Sequence, residues 1–109
     1  MSTAVLLVYC TVPSVPVADA LARTLVEERL AACVNRIAGV VSTYRWEGEI
    51  TADPELLLLI KTTADRFDAL RARIVELHPY ELPEVIAVPI EAGFERYLAW
   101  IADETRAGA

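Results

Sequence analysis

The sequence predicts an α+β fold: one antiparallel sheet, with helices inserted between its strands. Three observations predict it. First, Leu56 to Ile60 are five consecutive apolar residues, bounded by Asp53-Pro54 before them and a polar cluster after them. A run of that length with no polar face is a strand buried on both sides, and it is too short to cross a membrane. Second, Ala4 to Thr11 is another such run, rich in β-branched and aromatic residues. Third, the segments between and after the strand candidates carry apolar residues at three-and-four spacing, the mark of amphipathic helices.

Taken in order, strand one covers Ala4 to Thr11 and is broken by Pro13, Ser14 and Pro16. Ser14 is placed to cap a helix and Pro16 fits a first helical turn. The helix is expected from about Val15 to Ala32, with Ala18, Leu21, Ala22, Leu25, Val26 and Leu30 on its apolar stripe. Asp19, Arg23 and Glu27 lie four apart on the other side and can pair. Val34 to Ile50 reads as a strand with a bulge or bend at Ala38-Gly39 and a turn at Gly48. Within it Ser42, Tyr44 and Trp46 share one face, and Thr43, Arg45 and Glu47 the other. Asp53-Pro54 reads as a second break. Glu55 to Thr63 then returns as the other arm of a hairpin.

Thr63 is the expected cap of helix two, whose stripe is Phe67, Leu70, Ile74 and Leu77. Pro79 stops it. Residues 78–84 form a loop with two prolines, and Val85 to Ile90 is the fourth strand. Pro89 cannot donate a ladder hydrogen bond, so this strand belongs at an edge. Phe94, Tyr97, Leu98 and Ile101 define a last helix reaching about Thr105.

The order β-α-β-β-α-β-α, with right-handed split crossovers, places the first two helices on one face of the sheet. This is the ferredoxin-like sandwich with an extra C-terminal helix. Its central strands are the first and third, the two that are apolar on both faces, and its edges are the second and fourth.

The length, 109 residues, fits one domain over 1–109. The chain is 55% hydrophobic, above the usual range of roughly 45–50%, so some apolar surface should be buried beyond what one small domain hides. The net charge of −6 with no basic stripe argues against nucleic acid as a partner. Two cysteines are too few for a disulfide framework. The first residues carry no basic leader segment, so the expectation is a cytoplasmic protein with reduced thiols. No repeat, linker or low-complexity tract interrupts the chain.

The two inner strands pose a problem of cover. Two helices shield one face, while Leu and Val side chains also point to the other. Each fully buried Leu or Val contributes roughly 1.5–3 kcal/mol relative to exposure. Leaving four or five of them wet would forfeit on the order of 6–15 kcal/mol, as much as a whole domain's stability. Either another subunit covers that face, or the last helix folds over it in a monomer; the last helix is short, which favours the subunit.

Six segments carry a family resemblance: Cys10-Thr11-Val12-Pro13; residues 25–35; Tyr44-Arg45-Trp46-Glu47-Gly48; Leu58-Leu59-Ile60-Lys61-Thr62; residues 78–84; and Tyr97-Leu98-Ala99-Trp100-Ile101. In that order, across nearly the whole chain, they resemble the CutA family of divalent-cation tolerance proteins. One departure is Ala38, where the family usually has proline. The resemblance implies a ferredoxin-like subunit in a compact homotrimer similar to PII-type signalling trimers. Hairpins around Tyr44 to Leu57 would pair with neighbouring subunits. It further implies copper binding at Cys10 and His78, with Cys33 a weaker third candidate.

The residues themselves speak less directly. Thiolate suits Cu(I) and imidazole suits copper or zinc, yet no CxxC or His-x-x-x-His spacing is present. Buried free cysteines are common core residues, and the only histidine can simply bond a carbonyl. Lys61, Tyr80, Glu81 and Glu84 form a candidate inter-subunit pocket for a small molecule or cation, by analogy with PII-type trimers; a structural ion pair at the seam is the plainer reading. Tyr44, Trp46 and Trp100 suit interface anchors better than a ligand-stacking surface. Cys10 as nucleophile with His78 as base lacks a third orienting group, so no enzyme is expected. Two functions follow: a homotrimer binding copper or another divalent cation and contributing to metal tolerance, or a PII-like scaffold binding a small molecule or protein partner in its cleft.

Overall fold

A computed structural model describes residues 4–108. The leader reading, which rests on the first residues, lies partly outside them. Strand β1 covers Val5–Val12, helix α1 Val15–Glu27, β2 Cys33–Trp46 and β3 Glu49–Thr63. A 3₁₀ turn at Ala64–Arg66 leads into α2, Phe67–Leu77, followed by β4, Ile86–Pro89, and α3, Glu95–Glu104. The four strands form one sheet in the order β2-β3-β1-β4, every pairing antiparallel. The inner strands are therefore the two with apolar residues on both faces, and Pro89 lies on an edge strand.

Alternation along β1 and β3 sorts the two faces. Val8, Cys10 and Val12 oppose Ile60, Leu58 and Leu56. They pack with Ala18, Leu21 and Leu25 of α1 and Leu70 and Ile74 of α2 in the main core. On the opposite face α3 seats Ile101 in a small second core with Val5 and Ala32. That helix covers only one end. Leu7, Tyr9, Leu57 and Leu59 stay half-buried, while Ile37, Val88 and Ile86 are exposed. The last helix thus folds over one end of this face, and it leaves much of the rest uncovered.

Several element ends differ from expectation. Helix α1 stops at Glu27 rather than Ala32. Arg29 takes a left-handed φ of 58°. The Leu30 N–H donates to Leu25 O and the Arg29 N–H to Val26 O, which is a Schellman closure. The usual glycine signal is missing there, so the apolar Leu30-Ala31-Ala32 mimicked a continuing stripe. Val26, placed on that stripe, is exposed. Ser14 caps as expected, its Oγ accepting from the Val17 N–H at 3.4 Å. Arg23 pairs with Glu27 at 2.7 Å, but Asp19 pairs with Arg36 of β2. Thr63 precedes the 3₁₀ turn and makes no side-chain cap; its hydroxyl donates to Asp65.

The β2/β3 hairpin reaches beyond the rest of the sheet and lengthens the molecule to 47 × 26 × 22 Å. Its register slips between Ile37 and Val40, where Gly39 has φ 85°. The strand ends at Trp46, not Ile50. Glu47 and Gly48, both at positive φ, close a two-residue turn of the type that matches strand twist. Asp53-Pro54 does not break β3, because Pro54 pairs with Val41. N-terminal to Leu56, β3 has β2 as its only neighbour among the described residues, so a missing donor on its free side leaves no ladder bond unmade.

Candidate metal and ligand site

The end of β1 brings two of the sequence candidates together around one carbonyl. The His78 ring sits just past the C-terminus of α2 and is buried. Its Nδ1 accepts from the Tyr80 backbone N–H at 3.1 Å, so Nε2 carries the ring hydrogen and donates to Thr11 O at 2.9 Å. Both ring nitrogens are engaged. Cys10 Sγ lies 3.8 Å from the same Thr11 oxygen. Period-two alternation turns Cys10 into the helix-covered core, where it has no exposed surface. Burial, reinforced by the negative charges of Glu84 and Glu55, pushes its thiol up to about 12. At neutral pH this sulfur is a protonated thiol.

A carboxylate that the sequence reading did not single out completes this end. Glu55 is buried and accepts from the Tyr80 hydroxyl at 2.6 Å. The Tyr80 ring lies 4.6 Å from the His78 ring, tilted. Burial first, then the Glu55 hydrogen bond, pushes the Tyr80 phenol above its ordinary value. One signal for Glu55 existed: it is the charged residue opening an otherwise apolar run. Further out on the hairpin the Tyr44 hydroxyl donates to Asp53, and that bond raises the Tyr44 phenol. Glu81 and Glu84 are exposed.

Lys61 is not part of this group. It lies on the α3-covered face, directly across the β2/β3 ladder from Cys33. Its Nζ donates to Asn35 Oδ1 and approaches Cys33 Sγ at 3.7 Å. Tyr97 of α3 lies beside this second cluster, and burial is the first cause that raises its phenol. The expected set of Lys61 with Tyr80, Glu81 and Glu84 is therefore divided within one subunit, because Lys61 is three ladder pairs from the Cys10 position along β1 and β3. Cys33 is likewise separated from Cys10 and His78 by the sheet. It opens β2. Asn35 and Tyr97 were missed; the two-residue step from Cys33 to Asn35 was the available signal for the first.

Tyr44, Trp46 and Trp100 are each about two-fifths exposed, at 42%, 40% and 41%. Trp100 stacks on Tyr97 with centroids 5.5 Å apart. Among the described residues, no three His, Cys, Asp or Glu side chains converge to hold a metal ion, and no helix is long and apolar enough to cross a membrane.

The comparisons with known proteins fit this architecture. A family model described as CutA1 divalent ion tolerance protein matches residues 6–104. The chain belongs to the CutA1 divalent ion tolerance family. Among its relatives, the divalent-cation tolerance protein CutA of Thermus thermophilus is 53% identical over 98 residues, covering 90% of this chain and 95% of that protein. The chloroplastic protein CutA of Arabidopsis thaliana is 44% identical, covering 93% of this chain and 56% of that protein. This chain thus spans little more than half of the plant relative. Among solved structures, CutA from Xylella fastidiosa superposes with a TM-score of 0.92 at 48% identity, covering 95% of this chain and 100% of that one. The CutA structures from Xylella fastidiosa and Thermus thermophilus share the fold described above.

Proposed function

We propose that the protein is a non-enzymatic homotrimer that binds copper or another divalent cation and contributes to divalent metal ion tolerance. The observation that carries the assembly is the half-covered sheet face. Leu7, Tyr9, Leu57 and Leu59 form a contiguous apolar surface, edged by exposed Ile37, Ile86 and Val88. It adjoins a projecting hairpin that carries Tyr44 and Trp46. An apolar surface of this kind marks an interaction site, and copies of the same chain supply the complementary face and arm. Family membership supports the role in cation tolerance.

Cys10 and His78 are the proposed copper ligands, since they share the Thr11 carbonyl. Binding there requires the thiol to lose its proton and the His78 ring to release Thr11. Size-exclusion with light scattering tests the trimer, and a monomer at micromolar concentration would end that part of the reading. Titration with Cu(I) and Cu(II) tests the metal site: Cys10→Ala and His78→Ala should each weaken binding, and unchanged affinity in both removes the site. A thermal-shift screen in which metabolites and not metals raise the melting temperature would favour the scaffold reading instead. We place the protein in the cytoplasm, which suits two free thiols; cell fractionation checks this.

A further inference from the structure

We propose that Cys33 and Lys61 form an oxidant-responsive pair that closes to a covalent sulfur–nitrogen bond when a peroxide oxidises Cys33. The inference does not depend on metal binding at Cys10 and His78. Lys61 is the only lysine in the sequence. Six of the nine arginines make ion pairs with carboxylates, whereas Lys61 makes none among the described residues. Its Nζ instead meets a thiol at 3.7 Å and an amide oxygen. The pair is directly opposed in the β2/β3 ladder, so the backbone holds the two side chains side by side.

The surroundings of Cys33 suit oxidation better than metal binding. Asn35 Nδ2 lies 4.0 Å from the sulfur, and Lys61 Nζ approaches to 3.7 Å from across the strand. Both are donors and one is cationic, so a metal ion meets a positive neighbour while an anionic oxygen on sulfur meets hydrogen-bond partners. Cys33 is half-buried, within reach of a molecule the size of hydrogen peroxide; Cys10 is sealed in the core.

The chemistry balances in two steps. Sulfur attacks one peroxide oxygen and the O–O bond breaks. The other oxygen leaves as water with the proton the thiol gives up. Sulfur is oxidised by two electrons to sulfenic acid, and the peroxide is reduced by the same two. Deprotonated Nζ then attacks sulfur, and the sulfenic hydroxyl departs as a second water with a proton from nitrogen. In sum, thiol, amine and peroxide give one S–N bond and two waters.

The test treats the intact protein with stoichiometric hydrogen peroxide and reads mass. The expected product is a single chain lighter by two hydrogens, reversed by a thiol reductant. Trypsin should then fail to cut after Lys61 and should yield residues 30–36 joined to residues 46–66. Lys61→Arg keeps the charge and the donor but lacks a nucleophilic amine; after its fold is checked by circular dichroism, it should stop at a sulfenic acid that dimedone traps on Cys33. Cys33→Ser should give neither product. The proposal is overturned by the same mass loss in Lys61→Arg, by a disulfide-linked dimer as the main product, or by a wild-type Cys33 that stays reduced or stops at the sulfenic acid.

Discussion

Raising the pH should destabilise the protein through Cys10, and the size of the effect follows from its burial. The folded thiol is pushed from its ordinary 9.0 up to about 12. Below pH 9 the thiol is neutral in both folded and unfolded chains, so its contribution is fully present. Between pH 9 and 12 the unfolded chain ionises and the folded one does not, so stability falls. Above pH 12 the loss is complete. Three pH units at 1.36 kcal/mol each give about 4 kcal/mol. Urea unfolding at fixed protein concentration, run at several pH values across that window, reads the slope. Tyr44, Tyr80 and Tyr97 are shifted in the same direction, so the decisive quantity is the difference between wild type and Cys10→Ala. The Cys10→Ala line should be flatter by about 4 kcal/mol over the window. Parallel lines would refute the claim that burial holds this sulfur as a thiol. The same argument bears on copper: a Cu(I) ion bound by Cys10 at neutral pH must displace a proton, so apparent affinity should rise about tenfold per pH unit.

Three other outcomes are expected. Tyr80→Phe removes the donor to buried Glu55, and a hydrogen bond to a charged group is worth roughly 1.5–3 kcal/mol, so urea unfolding should show a loss of that order. Gly39→Ala meets no atom within 4 Å but must hold φ 85°, which costs about 1–2 kcal/mol of backbone strain and should lower the melting temperature without blocking expression. Leu59→Asp places a charge in the middle of the uncovered sheet face; light scattering should then report dissociated subunits with native circular dichroism, whereas an unchanged mass would move the interface elsewhere.

What the sequence could announce depended on how local the physics was. Alternation and proline chemistry are local: they placed the inner strands, put Pro89 at an edge and marked the bulge at Gly39. The end of α1 escaped because its left-handed closure falls on Arg29, which carries no glycine signal. Asp53-Pro54 misled because a proline breaks a strand only where a partner needs its N–H, and here one side of β3 is free.

The sequence alone determined an apolar two-faced sheet, its strand order and a shortage of cover, since these follow from pattern and composition. Tertiary structure decided which reactive groups meet. Sheet faces and loop paths carry Lys61 away from Tyr80 and towards Cys33, and they seal Cys10 beside the carbonyl that His78 holds. Those neighbours lie 28 and about 70 residues apart along the chain, and no local propensity encodes a distance closed by packing of the whole domain.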